Sequence, residues 1–166
     1  MIEFLILSGL MASGDKVMFD GPLESAIVEQ HEVGETVQSP ATQAQVDSLK
    51  ASLRDEFDAS LPADYERFLL RANGLDFNGL VLYGASQSNE EPGAGSFWQG
   101  LVAANHEWRS TGDHDEYLIL GDTDMELLTV APDATNAALR DRVSGDVLQT
   151  YPSVNAMLED SLRQRL

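Results

Sequence analysis

A chain of 166 residues with 43% hydrophobic side chains is long enough to bury roughly 70% of its unfolded surface in one core, so one compact domain is expected. Cysteine is absent, which excludes disulfides and thiolate chemistry and fits a reducing, cytoplasmic setting. The 28 acidic against 10 basic side chains give a formal net charge of -18, a field that repels nucleic acid and anionic membrane and speeds encounter with a basic protein.

The excess charge is uneven along the chain. Residues 1 to 38 carry a net -6, residues 39 to 74 carry -2, residues 75 to 131 carry -9 and residues 132 to 166 carry -1. Half of the excess sits in the third stretch, where Arg109 is the one basic side chain.

The apolar run Phe4-Leu5-Ile6-Leu7 lacks a basic leader, follows Glu3 and is too short to span a bilayer, so it reads as a packed amphipathic segment rather than an export signal. Residues 1 to 38 form an N-terminal segment with two short elements around the Gly14-Asp15 and Asp20-Gly21-Pro22 turns, followed by an acidic connector. The main domain is expected over residues 39 to 166.

Thr42 and Gln45 have capping-box spacing ahead of the stripe Val46, Leu49, Leu53 and Phe57, which predicts a helix over residues 43 to 58. In Leu61-Pro62-Ala63-Asp64-Tyr65-Glu66-Arg67-Phe68-Leu69-Leu70-Arg71-Ala72-Asn73-Gly74, Pro62 suits a first helical turn because its φ is already helical and its missing N–H needs no partner there. Leu61, Tyr65, Phe68, Leu69 and Ala72 share one face, and Asn73-Gly74 supplies residues that tolerate positive φ for a left-handed cap.

Leu80-Val81-Leu82-Tyr83-Gly84 reads as a short buried strand and residues 85 to 95 as an exposed loop. Ser96 and Gln99 repeat the capping-box spacing, and Trp98, Leu101, Val102 and Asn105 place a third helix at residues 97 to 109. On that helix Trp98 and Trp108 would project about 80° apart, so they cannot share the centre of one face. Trp98 belongs with the apolar stripe, either in the core or as a partly exposed anchor, and Trp108 covers a sheet edge. Asn105 is expected to bond a loop backbone.

Tyr117-Leu118-Ile119-Leu120-Gly121 and Glu126 to Ala131 read as strands joined by the turn Asp122-Thr123-Asp124. Ala138 to Val143 and Asp146 to Tyr151 flank a Ser144-Gly145 hairpin turn, and Ser153 caps a last helix carrying Val154, Met157, Leu158 and Leu162. Runs of helices followed by runs of strands predict an α+β domain with an antiparallel-rich sheet of about five strands and helices packed against it.

The helix over residues 61 to 74, Gly84 closing the first strand, Asn105 on the following helix, the Tyr117-Leu118-Ile119-Leu120-Gly121 strand and the acidic turn after it resemble the SUKH superfamily over residues 42 to 166, most closely its YrhA-like branch. The resemblance implies an α+β fold and, from the bacterial members, an immunity protein that binds and neutralises a cognate toxin delivered by neighbouring cells. Eukaryotic relatives imply an alternative, a regulatory interaction scaffold with no toxin partner.

Catalytic chemistry is not legible. Asp113-His114-Asp115-Glu116 could gather round a cation, but consecutive side chains diverge and neither HExxH nor EF-hand spacing is present, so a solvated acidic loop accounts for them. Asp122 and Asp124 are accounted for as turn formers. His31, His106 and His114 are far apart, with no Gly-x-Ser-x-Gly or cysteine nucleophile beside them, and Gly93-Ala94-Gly95 lacks the lysine of a phosphate loop. The reading is a binding protein rather than an enzyme, with no metal and no cofactor, whose partner is a protein, a basic toxin domain, and neither nucleic acid nor membrane. Its candidate contact residues are Asp76, Glu90, Glu91, Trp98, Asp113, Asp115, Glu116, Asp122 and Asp124.

Overall fold

The computed structural model describes residues 19–86 and 99–166. Within them the chain runs α1 (Asp20–Glu32), α2 (Gln43–Phe57), α3 (Ala63–Leu69), β1 (Leu75–Phe77), β2 (Leu80–Leu82), α4 (Leu101–Ser110), β3 (Leu118–Asp122), β4 (Glu126–Val130), β5 (Ala138–Asp141), β6 (Val147–Thr150) and α5 (Val154–Arg163). The six strands form one antiparallel sheet in the order β1-β2-β3-β4-β5-β6, so each strand pairs with its neighbours in sequence. Leu118 to Gly121 and Leu127 to Val130 are buried at consecutive positions, which means that both faces of the sheet are covered at its centre. This is a single α+β domain.

The sixth strand, β1, is the one that composition and alternation did not reveal. Asn78 and Gly79 both have positive φ, 47° and 84°, and reverse the chain so that Phe77 pairs with Leu80 and Leu75 with Leu82. An Asn-Gly pair between two apolar segments is the strongest short-range hairpin signal there is, and its presence here could have located the strand.

Asp20-Gly21-Pro22 is not a turn between short elements. It is the first turn of α1, where a proline needs no hydrogen-bond partner. Phe19, Leu23 and Ala26 enter the same core as the rest of the domain. Asn155 at the start of α5 ties three helices there: its Oδ1 accepts the Phe19 N–H at 3.2 Å, and its own N–H donates to Asp64 Oδ2 at 2.9 Å. The reading of residues 1–18 lies outside the described residues.

At Thr42 the capping box forms as the spacing predicts, with Gln45 N–H donating to Thr42 Oγ1 at 3.1 Å and Thr42 N–H to Gln45 Oε1 at 2.9 Å. Helix α3 buries Tyr65, Phe68 and Leu69 but is shorter than its stripe implies, ending at Leu69. Asn73 is drawn into tertiary bonds instead of a cap: its N–H donates to the Ser39 carbonyl at 2.8 Å and its Oδ1 accepts from Ala85 N–H at 2.7 Å. Gly74, at φ 97°, then turns the chain into β1. The Tyr65 hydroxyl reaches the carbonyls of Tyr83 and Leu120, at 2.5 and 2.9 Å, and so pins α3 where β2 leaves β3.

Gly121 is required at that place. A Cβ on it would stand 2.4 Å from the Val81 carbonyl oxygen, so only a glycine lets β2 approach β3 beside the bulge that shifts register between Ile119 and Gly121. Helix α4 begins at Leu101 with Gly100 as its N-cap, later than residue 97, and the cap expected at Ser96 lies outside the described residues. Asn105 bonds strand rather than loop backbone. Its Nδ2 donates to the Ile119 carbonyl at 2.8 Å and its Oδ1 accepts the Ile119 N–H at 2.8 Å, doing for β3 what a neighbouring strand would.

Candidate protein-interaction surface

Several segments meet around a column of three rings with a guanidinium group at each end. The Arg142 guanidinium lies 4.9 Å from the centre of the Trp108 ring, the Trp108 ring meets His114 edge-on at 5.4 Å, His114 meets Tyr117 at 5.9 Å, and the Arg140 guanidinium lies 4.0 Å over Tyr117. Trp108 comes from α4, His114 and Tyr117 from the loop into β3, and the two arginines from the β5–β6 hairpin. Cation–ring contacts of this kind are each worth about 0.5–2 kcal/mol, so together they hold those segments in one arrangement.

Hydrogen bonds extend the column. Trp108 Nε1–H donates to the Tyr83 hydroxyl at 2.9 Å, Tyr83 donates in turn to Asp122 Oδ2, and Arg142 donates to Asp122 Oδ1 at 3.1 Å and to the Thr123 carbonyl at 2.5 Å. Arg140 donates to Thr129 Oγ1 and to the Gly145 carbonyl, and the Tyr117 hydroxyl bonds His114 Nδ1. A groove of about 370 Å³ opens beside Trp108, between Glu107 and Thr111 on one side and Asp122 and Arg142 on the other.

Three sequence readings change here. His114 is buried against Trp108 and Tyr117 instead of lying in a solvated loop, because its ring is apolar enough to pack while Nδ1 finds the phenol. Asp122 is a half-buried carboxylate neutralised by Arg142, not an outward-facing charge. Nor do the aspartates make the β3–β4 turn: Thr123 does, its Oγ1 accepting from the N–H groups of Met125 and Glu126 at 3.2 and 3.0 Å.

The remaining candidates are displayed on this frame. Asp113, Asp115, Glu116 and Asp124 are exposed, and none forms an ion pair among the described residues. Asp76 is exposed on β1, in the cross-strand row Asp76, Val81, Asp122, which places it two strands, about 10 Å, from Asp122. Glu90, Glu91 and Trp98 lie outside the described residues. Met125 and Val143, which the sequence reading passed over, stand 68% and 84% exposed among these carboxylates, joined by the bond from Arg142 N–H to the Met125 carbonyl. Nothing in their spacing signals this, since register alone brings them together.

The nearby cations are engaged by the frame. Arg109 lies 4.6 Å over Phe57 and donates to the Tyr117 carbonyl at 3.3 Å, and Arg140 and Arg142 are engaged as described. Among the described residues no group of three or more histidine, aspartate or glutamate side chains could hold a metal ion, and no helix is long and apolar enough to cross a membrane.

All four tyrosines are held protonated more firmly than usual. Burial pushes Tyr65 and Tyr83 well up, helped at Tyr83 by the Asp122 carboxylate; burial and the bond to Asp160 raise Tyr151, and burial raises Tyr117 against an opposing pull from Arg140. A folded value above the unfolded one contributes stability that is complete below about pH 10 and lost as the pH rises through the folded value. Alkaline titration is expected to show little tyrosinate absorbance until a steep rise coincides with loss of helical circular dichroism. Smooth ionisation of these phenols near their ordinary value with the fold intact would contradict the packing described.

The fold and surface define an α+β domain presenting acidic loops on a rigid frame. No family model matches the chain, and no curated protein matches it in sequence. Among solved structures it is similar to a crystal structure of a protein from Pseudomonas syringae pv. tomato, with a TM-score of 0.56 and 14% identity over 84% of this chain and 98% of that one. That likeness is one of fold alone.

Proposed function

We propose that this chain is an immunity-type protein that binds a cognate, basic, nucleic-acid-processing bacterial toxin and neutralises it by covering its substrate channel with carboxylates. The observation carrying this reading is that Asp113, Asp115, Glu116 and Asp124 stand exposed without ion-pair partners among the described residues, while Arg109, Arg140 and Arg142 bind the frame beneath them. Charges fixed in place lose little freedom on binding, and a channel that attracts phosphates attracts carboxylates for the same Coulombic reason. Occlusion needs no catalytic group on this chain. The resemblance of its helix over residues 61 to 74 to the SUKH signature supports the same reading.

The test is protection: if a secreted protein with a basic C-terminal domain is encoded beside this gene, that domain is assayed on its nucleic-acid target with and without the chain. Single changes of Asp113, Asp115 or Asp124 to asparagine are expected to weaken binding about two- to fivefold each, as rim charges do. Changing Asp113, Asp115, Glu116 and Asp124 together to lysine should abolish protection, and association should slow steeply as salt is raised. Undiminished binding by the fourfold variant, or loss of protection at one aspartate together with chelator sensitivity, would refute occlusion.

A further inference from the structure

The two edges of the sheet are treated differently. At β1 the Gln30 side chain from α1 donates to the Asp76 carbonyl at 2.9 Å, so a helix closes part of that edge. At β6 no residue is covered: Val147, Leu148, Gln149 and Thr150 are all exposed, Val147 at 50% and Leu148 at 54%. β6 pairs with β5 on one side, and its other side presents backbone amides and carbonyls with no strand beside them among the described residues. Folded proteins blunt such edges with lysine, proline, inward charges or bulges. Residues 147–150 hold no charge and no proline, and their one irregularity is the extra Leu148 in the pairing with β5.

Charge selects the occupant. Asp146 immediately precedes the strand and its carbonyl accepts the Asp141 N–H at 2.8 Å, so two carboxylate residues stand at the turn end of this edge, with Glu126, the cross-strand partner of Asp141, one strand further in. The cation of β5, Arg140, is stacked on Tyr117 and bonded to Thr129 and Gly145. A second copy of the chain would bring the same carboxylates and a further net charge of -18 against them.

We propose that β6 is a strand-addition edge for an extended, lysine- or arginine-bearing segment of a protein partner. Main-chain hydrogen bonds along residues 147–150 hold the segment, its apolar side chains lie on Val147 and Leu148, and its cations meet Asp146 and Asp141. This deepens the reading of a basic partner but does not require that partner to be a toxin.

A short alternating Lys-Val peptide, titrated into the isotope-labelled full chain, tests it. Amide chemical-shift changes are expected at Val147 to Thr150 and their β5 neighbours. Binding should be about tenfold weaker for the same peptide N-methylated at alternate residues, as loss of one or two main-chain hydrogen bonds predicts. It should also weaken for a Glu-Val peptide and for the Asp146→Lys chain. Equal binding of the N-methylated peptide, shifts centred on residues 113–124, no shift at millimolar peptide, or a doubling of mass that involves β6 without peptide would each overturn the proposal. Peptide binding at β6 with no toxin protection would remove the toxin reading and leave the edge; protection without binding at β6 would remove the edge alone.

Discussion

Asn105→Ala is expected to destabilise the fold by about 2 to 6 kcal/mol, because it strands two buried backbone groups at about 1–3 kcal/mol each. The Ile119 N–H and carbonyl lie where β2 has parted from β3, and the Asn105 amide serves both, at 2.8 Å each. Water cannot replace it, since Asn105 and Ile119 are fully buried. Urea denaturation would read the loss as a lower midpoint with an unchanged slope. Asn105→Asp sharpens the test: its carboxylate still accepts the Ile119 N–H but sets lone pairs against the Ile119 and Leu101 carbonyls. Protonation restores a donor, so that variant should gain stability as the pH falls, opposite to an ion-paired aspartate. Stability of Asn105→Ala within about 0.5 kcal/mol of wild type would show that the amide is dispensable.

Phe68→Ala should cost about 3 to 5 kcal/mol, the usual range for a large aromatic truncated in a packed core. Phe68 is fully buried in the main cluster, and its ring sits 5.2 Å from that of Tyr65, whose hydroxyl pins α3 to the sheet. The cavity would therefore loosen an anchored helix as well as remove apolar contact. Partner binding should fail only to the extent that folding fails, which compares a melting curve with an affinity measured well below the midpoint. A stable, well-packed Phe68→Ala protein would mean that this face does not carry the core.

Local chemistry was legible where it acts over a few residues. The Thr42–Gln45 capping box, the buried face Tyr65, Phe68 and Leu69, the Ser153 cap, whose Oγ accepts the Ala156 N–H at 3.0 Å, and the strands on either side of Asp122-Thr123-Asp124 all follow from spacing. The Asn78-Gly79 turn was equally local, yet its strand is only three residues long and gives periodicity little to act on. Asn73 reads as a cap by type and proves to be a bridge, because Ser39 and Ala85 offered partners that no window of sequence contains.

The sequence by itself determined the α+β class, the order of most elements and the net charge of -18, since periodicity, capping and composition are properties of neighbouring residues. Only the tertiary structure decided which acids are available. Asp122 and Asp124 are equivalent as text two residues apart, but one is claimed by Tyr83 and Arg142 while the other stands exposed, because Asp122 is the last residue of β3, within reach of residues just past the ends of β2 and β5, whereas Asp124 lies in the turn beyond the strand. The same reason governs His114, Asn105 and the open edge at β6: cross-strand register and helix packing join residues far apart in sequence, and their energies depend on burial that no local pattern encodes.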